Sequence, residues 1–334
     1  MRTPRHVSIA LSLGLATLML ARLTTGTAIV RAGASSAVLS TYVEPAAGYG
    51  FIDHAIEQAR RTIDLSMYEL EDPTIENDLA ARARAGVEVR VILDSEYGIS
   101  GVNEPGARIL DQGGVHVAWA PGSQIFHAKY LVIDGTTLYV GTGNLTSRYY
   151  SSTRDFWIVD RDRADVIAAS ATFSADFSHR SAPLGSGNGD LVWSPGSSGA
   201  LVRLINSARH SLLVENEEMD SSTIESALES AAERGVDVEV VMTDDSQWHI
   251  ALAELARAGV HVHVLTQDQV YIHAKVICAD CHTTDATAFV GSENFSTSSL
   301  DYNRELGIIT SVTSVTRSVC STVQSDFSEG TTHF

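Results

Sequence analysis

The chain has 334 residues, and its 23 Lys+Arg against 41 Asp+Glu give a formal net charge of -18. Hydrophobic residues make up 44% and charged residues 19%, a balance that excludes a disordered, collagen-like or disulfide-scaffold protein. The acidity argues against a general nucleic-acid binder, because phosphate backbones require a basic surface. Of the 23 basic residues, 21 are arginines and only two, Lys129 and Lys275, are lysines.

The N-terminus has the pattern of an export signal. Arg2 and Arg5 precede an apolar run over 7–20, and small residues follow up to Ala34. The pattern predicts a signal peptide over 1–34, with cleavage after Ala34, and a secreted protein. The alternative is an uncleaved membrane anchor, although the run is shorter than the roughly 20 residues of a membrane span. Cleavage removes four arginines and no acids, which takes the net charge from -18 to -22.

After this segment the chain repeats itself. Five blocks of similar sequence recur in the same order at a spacing of about 150 residues, among them 80–94 with 229–243 and 126–134 with 272–280. The stretch 181–190 between the copies is rich in Gly, Ser and Pro. We therefore expect a first unit over 35–181, a linker over 182–198 and a second unit over 199–334.

Within each half, helical patterns that end at glycine alternate with β-branched apolar runs. The runs at 87–93 and 236–242 are candidates for central strands. This order predicts an α/β fold in which two duplicated α/β/α sandwich units each contain a mixed sheet flanked by helices.

The chemistry of the chain is concentrated in two matching segments, HAKYLVID at 127–134 and HAKVICAD at 273–280. His127 and Lys129 are two residues apart, as are His273 and Lys275, and such spacing on a strand places both side chains on one face. Each half thus offers an imidazole beside an ammonium group.

The two lysines are the strongest sign of a functional site. Lysine carries a compact point charge, whereas arginine is a planar fork, and this chain otherwise uses arginine wherever it needs positive charge. A single histidine in a strand is most simply a core or edge residue. A buried lysine is harder to explain by packing, because an unpaired ammonium group is costly to bury.

The pattern H-x-K-x4-D followed by G-[ST]-x-N, present twice, resembles the phospholipase D superfamily of phosphodiesterases. The second element reads GTGN at 141–144 and GSEN at 291–294, so that Asn144 and Asn294 follow the two strands. The resemblance implies that the two halves pack pseudo-symmetrically around one active site. It also implies no cofactor and no metal.

Two histidines suit a two-step displacement at phosphorus, in which one attacks as the nucleophile and the other acts as acid and then base. The lysines, helped by the amides of Asn144 and Asn294, would stabilise the charge on the phosphate oxygens. In the family the first histidine is often the nucleophile. That would make His127 the nucleophile and His273 the acid, but the sequence itself leaves the two assignments open.

A nucleophilic imidazole needs an acceptor on its other nitrogen. By resemblance, the histidine-orienting acids are Asp155 and Glu305, although Thr153 in the first copy replaces the asparagine found at position 303 in the second. Asp134 and Asp280 complete the two motifs and are included with the catalytic residues. A structural or salt-bridging role for these two aspartates is an equal alternative.

The three cysteines allow one disulfide and leave one thiol. Cys278 and Cys281 form a single C-x-x-C, which favours either a local disulfide or no bond, with Cys320 apart. A zinc site would need a second such pair. His261 and His263 alternate on a strand without a carboxylate nearby, so no metal is expected there either.

The surroundings of the site favour a lipid. An exported, strongly acidic chain suits a zwitterionic phospholipid at a membrane or micelle surface. Candidates for contact with the head group or the bilayer are Trp119, Tyr149, Tyr150 and Trp157, and ordinary packing is an equal alternative for each. We expect a phospholipase D-type enzyme that hydrolyses the head group, acts as a monomer and does not bind nucleic acid. The sequence leaves open whether the enzyme also transfers the head group. The alternatives are a metal-independent endonuclease of the same superfamily and a binding protein that has lost activity.

Overall fold

The computed structural model describes residues 39–95, 101–332 and 334. The predicted signal peptide over 1–34 lies outside the described residues. Among the described residues, no helix is long and apolar enough to cross a membrane.

Helices and strands alternate through both halves, as the repeat predicts. The helices are α1 (Gly50–Gln58), α2 (Pro73–Arg84), α3 (Glu104–Gly113), α4 (Arg163–Phe177), α5 (Ser198–Ser207), α6 (Ser222–Glu233), α7 (His249–Arg257), α8 (Thr297–Asp301) and α9 (Thr313–Glu329), with a 3-10 turn over Ser147–Tyr149. The strands of the first half are β1 (Leu39–Glu44), β2 (Thr62–Met67), β3 (Leu70–Glu71), β4 (Glu88–Leu93), β5 (His116–Trp119), β6 (Tyr130–Ile133), β7 (Thr137–Gly141), β8 (Leu145–Thr146) and β9 (Thr153–Asp160). Those of the second half are β10 (Leu191–Ser194), β11 (Ser211–Glu215), β12 (Met219–Asp220), β13 (Asp237–Thr243), β14 (His261–Leu265), β15 (Tyr271–Ile272), β16 (Val276–Ala279), β17 (Thr287–Gly291), β18 (Phe295–Ser296) and β19 (Glu305–Thr310).

The two halves have the same sheet topology. The strand order is β1-β9-β7-β6-β2-β4-β5 in the first half and β10-β19-β17-β16-β11-β13-β14 in the second. In each sheet the last three strands of this order are parallel and the others are antiparallel. The predicted α/β class, with two duplicated mixed sheets flanked by helices, is confirmed.

Local sequence explains where the equivalent helices α2 and α6 begin and end. Asp72 accepts hydrogen bonds from the first backbone N–H groups of α2, and Ser221 does the same for α6. Each helix is followed by a glycine with positive φ, 92° at Gly86 and 85° at Gly235, a conformation that L side chains rarely adopt. The apolar runs that follow form β4 and β13, which lie inside their sheets, one strand from the edge.

One of the three apolar cores is shared by both halves. It combines side chains of the two sheets with those of α4 and α9, including Phe173 and Val319. Each of the other two cores belongs to a single half. The two sheets are therefore joined by a common apolar layer, which fixes the strand ends that carry the site.

The structure corrects the predicted linker. Strand β10 lies within 182–198 and pairs antiparallel with β19, so the connection from α4 runs only over 178–190. The strand was not predicted because its apolar run, LVWS at 191–194, is short and is followed by the loop-forming residues Pro195 and Gly196. Helix α5 also begins inside the predicted linker, at Ser198.

The cysteines pair differently from a local C-x-x-C disulfide. Cys281 is bonded to Cys320 of α9, and Cys278 is the buried free thiol. Burial raises the pKa of the Cys278 thiol to about 12. The disulfide therefore ties the loop after β16 to the last helix.

In each half, the segment before the H-x-K lysine pairs with the backbone of the other half. Tyr271 and Ile272 form the short strand β15, which pairs in parallel with β9 of the first half, and Phe126 forms a parallel bridge to Arg304. The backbone N–H of His273 donates to the carbonyl of Arg154 at 3.2 Å, and that of His127 donates to the carbonyl of Arg304 at 2.9 Å. Both histidines are thus anchored to the opposite half.

Two ion pairs cross between the halves beside these anchors. Arg154 contacts Asp326 of α9 through two nitrogens, at 2.5 and 2.8 Å. Arg304 contacts Asp176 of α4 in the same way, at 3.0 and 3.2 Å. Both aspartates are buried. They belong to the matching sequences SADFS at 174–178 and QSDFS at 324–328, which end the two repeats. The ion pairs that join the halves are therefore encoded in the repeated sequence itself.

We expect Asp176→Ala to lower the free energy of unfolding by about 3–5 kcal/mol, because it leaves the buried Arg304 guanidinium unpaired. Urea unfolding of the whole chain measures the change. Glu104→Ala is the control, since its pair with Arg108 is exposed at both ends and should contribute less than about 1 kcal/mol. Equal effects of the two substitutions would contradict this account.

Candidate active site

The two H-x-K segments meet at one cavity of about 580 Å³ that lies between the halves. His127 and His273 both line it, with side-chain exposures of 12% and 14%. Lys129 and Lys275 are fully buried behind them, and each ammonium donates to the carbonyl of its own histidine, at 2.6 and 2.5 Å. The predicted single site with two histidines and two lysines is therefore present as one cluster.

The histidine-orienting acids are crossed between the halves. Nδ1 of His127 lies 3.0 and 3.1 Å from the two oxygens of Glu305 in the second half. Nδ1 of His273 lies 2.9 Å from Asp155 in the first half. The two acids predicted from the sequence both reach an imidazole, and each histidine is left with Nε2 for chemistry.

The second residue of each G-[ST]-x-N element supports the acid of its own half, a role that our sequence analysis missed. The hydroxyl of Thr142 donates to Asp155 at 2.6 Å, and that of Ser292 donates to Glu305 at 2.6 Å. Ser299 adds a second hydroxyl to Glu305 at 2.7 Å. The hydroxyl shared by Thr and Ser at this motif position was the available signal.

Hydrogen bonds and nearby cations keep both acids ionised. Burial opposes ionisation, but His273 and Lys275 hold the pKa of Asp155 below its usual value. The pKa of Glu305 is likewise lowered, against burial, by His127 and Lys129. Each imidazole therefore faces a carboxylate that accepts a proton from Nδ1.

The first histidine and its lysine are biased towards their neutral forms. Burial lowers the pKa of His127, more than Glu305 raises it, and Lys129 adds to the lowering. Burial and the charge on Lys275 lower the pKa of Lys129 to about 7. A neutral imidazole is the form that can attack phosphorus.

The predicted phosphate-binding asparagines both line the cavity. The amide oxygen of Asn144 has no partner within the described residues, and the amide nitrogen of Asn294 donates to Glu218 at 3.0 Å. Both side chains therefore lie at the site, but that of Asn294 is held by a carboxylate.

Asp134 and Asp280 are not at the site, which corrects their inclusion among the catalytic residues. Asp134 accepts hydrogen bonds from the backbone N–H groups of residues 60–62, at 2.7–3.1 Å. Asp280 accepts from those of residues 209–211, at 2.7–3.4 Å. Each aspartate follows the last residue of the strand that begins after its lysine, β6 or β16. At this end of the sheet its carboxylate caps the start of the neighbouring strand, β2 or β11. Their role is structural.

Of the four aromatic residues considered for the head group, only Tyr149 and Tyr150 line the cavity. Trp157 is fully buried in the core of the first half, and Trp119 lies outside the lining. Sequence periodicity did not identify Trp157 as a core residue, because strand β9 is buried along nearly all its length, on both faces.

The rest of the lining is aromatic, polar and acidic. It consists of Tyr49, Tyr68, Glu69, Thr146, Ser152, Thr153, Glu217, Glu218, Gln267 and Tyr271, beside the residues already described. Among these, Glu217 contacts Lys275 at 2.8 Å. Glu217 was not predicted from the sequence, although it lies two residues after the end of β11, beside the second H-x-K segment.

Two buried lysines and two imidazoles, each oriented by a carboxylate, define a phosphoryl-transfer site with a paired nucleophile and acid. The chain matches the family described as "Cardiolipin synthase, PLD-like domain" twice, over 52–180 and 201–329. It therefore belongs to the phospholipase D superfamily.

Curated relatives carry lipid-related names. The chain is 30% identical over 117 residues to "Mitochondrial cardiolipin hydrolase" of Xenopus laevis, which covers 34% of this chain and 54% of that protein. It is 25% identical over 293 residues to "Major cardiolipin synthase ClsA" of Bacillus subtilis (strain 168), covering 74% of this chain and 59% of that one. The chain thus spans only a little more than half the length of these relatives.

Solved structures share the fold. Phosphatidylserine synthase of Haemophilus influenzae Rd KW20 superposes with a TM-score of 0.69 at 11% identity, covering 88% of this chain and 87% of that one. Polyphosphate kinase of Porphyromonas gingivalis superposes with a TM-score of 0.67 at 15% identity, over 86% of this chain and 50% of that one. These likenesses are evidence for the fold alone.

We expect Glu305→Gln and Asp155→Asn each to lower kcat by roughly 10²–10⁴, because an amide neither fixes the tautomer nor stabilises the imidazolium. The crossed arrangement makes a second prediction for imidazole NMR. Glu305→Gln should change the Nδ1–H signal of His127 and leave that of His273, and Asp155→Asn should do the reverse. An acid substitution that changed only the histidine of its own half would contradict the crossed pairing.

Asp134→Asn and Asp280→Asn separate a structural from a catalytic role. Asparagine tolerates the positive φ of 53° and 54° at these positions but weakens the cap. Each should lower the free energy of unfolding by about 1–3 kcal/mol, with kcat/KM within about twofold of the wild type. A large loss of kcat/KM in a stably folded variant would restore the catalytic assignment.

Proposed function

We propose that the chain releases the head group of glycerophospholipids by hydrolysis, and transfers the remaining phosphatidyl group to alcohol acceptors, through a phosphohistidine intermediate. In the first step an Nε2 atom attacks phosphorus, the bond to the leaving oxygen breaks, and the second imidazole gives that oxygen its proton. In the second step this imidazole takes a proton from water or an alcohol, whose oxygen displaces the histidine. The oxygens that gain charge face Lys129 and Lys275.

The cavity lining is the observation that favours a lipid head group. It includes the five tyrosines 49, 68, 149, 150 and 271 and the three carboxylates of Glu69, Glu217 and Glu218. Aromatic faces and carboxylates attract a cationic amine and disfavour a polyanion. No arginine occurs in the lining that the structure describes. A zwitterionic phospholipid suits this lining better than a nucleic acid, whose neighbouring phosphates would meet acidic groups.

The relatives add support from a different direction. Two of them are named for the synthesis or hydrolysis of cardiolipin, and a structural neighbour is named for phosphatidylserine synthesis. All three names refer to phospholipids. The head group on which this chain acts is left to the experiment.

A direct assay separates lipid from nucleic-acid chemistry. Purified protein with chelator present should release the head group from phosphatidylcholine or phosphatidylethanolamine micelles and leave plasmid DNA intact. His127→Ala and His273→Ala should each lose nearly all activity, which ties the release to this site. Cutting of DNA without lipid cleavage would reject the lipid proposal in favour of an endonuclease. Release of glycerol from phosphatidylglycerol alone would keep a lipid substrate but reject the cationic head group.

We propose further that residues 1–34 are a signal peptide and that the chain is secreted. The basic start, the apolar run and the small residues before Ser35 support this. Protein recovered from the culture medium of the producing cell should begin at Ser35. An N-terminus at Met1 in a membrane fraction would support the anchor instead.

A further inference from the structure

The two halves differ at one position beside the lysines. In the sheet register, Ser66 of β2 corresponds to Glu215 of β11, since each pairs with the first residue of the strand that follows an H-x-K segment. Tyr68 and Glu217 lie two residues further on and are therefore equivalent. The repeat thus presents an aromatic ring to one lysine and a carboxylate to the other.

The contacts of these two side chains are correspondingly different. The ammonium of Lys129 lies 5.1 Å from the ring centre of Tyr68, and that ring packs edge-on against His127 at 4.7 Å. In the second half, one carboxylate oxygen of Glu217 lies 2.8 Å from the ammonium of Lys275 and 3.5 Å from Nε2 of His273.

Glu217 is held in this position from its other side. The hydroxyl of Tyr271 donates to its second oxygen at 2.8 Å. Burial opposes ionisation, but His273 and Lys275 hold the pKa of Glu217 well below its usual range. The side chain is therefore a fixed negative charge at neutral pH.

The two imidazoles consequently lie in different fields. His273 has a carboxylate at each nitrogen, Asp155 from β9 at Nδ1 and Glu217 from the end of β11 near Nε2. The nearby cation is Lys275, in the same H-x-K segment as His273, and the carboxylate of Glu217 offsets its charge. Among the described residues, the carboxylate in contact with His127 is that of Glu305, at Nδ1. His273 therefore has a carboxylate acceptor near each ring nitrogen, so that an N–H group at either position faces an acceptor.

We propose that Glu217 is a positioning residue that keeps a proton on Nε2 of His273, so that the second half supplies the acid and His127 the nucleophile. Nε2 of His127 then forms the bond to phosphorus, the bond to the leaving oxygen breaks, and that oxygen takes the proton from Nε2 of His273. Water returns a proton to Nε2 of His273 as its oxygen displaces His127. The proposal rests on the phosphodiester chemistry of the proposed function and not on the identity of the head group.

Leaving groups of different basicity test this role. p-Nitrophenolate leaves without protonation, whereas an alkoxide needs the acid. In Glu217→Gln, kcat for phosphatidylcholine should fall by roughly 100-fold while KM is unchanged. A rise in KM with kcat retained would show that Glu217 only binds the cationic head group, and it would overturn the proposal. The first burst of p-nitrophenol from bis(p-nitrophenyl) phosphate should stay within about threefold of the wild type. An equal fall with both substrates would show that Glu217 acts through phosphate binding or folding, and no fall with either would show no role; both outcomes overturn the proposal.

Two further variants sharpen the comparison. Glu217→Asp keeps the charge and should recover at least about tenfold of the lost phosphatidylcholine turnover, whereas failure to exceed Glu217→Gln would contradict a role for the charge. Glu233→Gln makes the same charge change at an exposed position on α6 and should leave both activities unchanged. Equal thermal unfolding temperatures of these variants would show that the fold is preserved.

The covalent intermediate gives a second readout. Wild type and Glu217→Gln are mixed with bis(p-nitrophenyl) phosphate, quenched in alkali and digested, and the phosphorylated histidine is identified by mass spectrometry. The adduct is expected on His127, and an adduct on His273 would overturn the assignment. This substrate carries no lipid, so the histidine is identified in a protein that fails to cleave phosphatidylcholine as well. Failure of the lipid proposal and failure of this one therefore give different results.

Discussion

Neither half of this chain can orient its own histidine, and the rest of the structure depends on that constraint. The carboxylate for His127 comes from Glu305, and the one for His273 comes from Asp155, across the boundary between the repeats. An imidazole without its acceptor loses its tautomer and much of its power as a nucleophile or acid. A single repeat folded alone would therefore lack a working histidine. The shared core and the buried Arg–Asp pairs serve to hold the two halves in the one arrangement that completes both pairs.

The duplication, the α/β class and the reacting side chains could be predicted from the sequence. They depend on repeats and short motifs, which can be recognised along the chain without knowledge of its packing. The acids at 155 and 305 could also be found, since the repeat aligns them. Their crossed pairing could not, because alignment associates each acid with the histidine of its own half. The crossing arises when β15 adds to β9, a pairing of two residues that no periodicity marks. The same packing decides which aromatic side chains reach the cavity, so Trp157 was placed wrongly and Tyr68 was missed.

The aspartates of the two motifs show how spacing can mislead. Asp134 and Asp280 lie close to the histidines in sequence, yet a four-residue strand separates each from its lysine, and such a strand spans roughly 13 Å. Each carboxylate therefore lies at the opposite end of the strand from its lysine. There, backbone N–H groups at the start of β2 or β11 need an acceptor. The cap holds the neighbouring strand in register with the strand that leads away from the lysine. The motif is therefore partly a catalytic element and partly a folding element.

The two lysines have different neighbours, so the two halves of the site are not electrostatically equivalent. At Lys275 the positive charge is already balanced by Glu217, so an entering phosphate must compete with a carboxylate. At Lys129 the neighbouring side chain is the ring of Tyr68, and burial has lowered the pKa of the ammonium to about 7. An anionic phosphodiester adds to the negative charge of Glu305 near Lys129, and it favours the protonated lysine in return. Arginine could not take part in this exchange, because it stays charged at every accessible pH. In the mechanism that we propose, this difference favours a phosphate near His127 and a leaving group near His273, whose nitrogens lie close to Asp155 and Glu217.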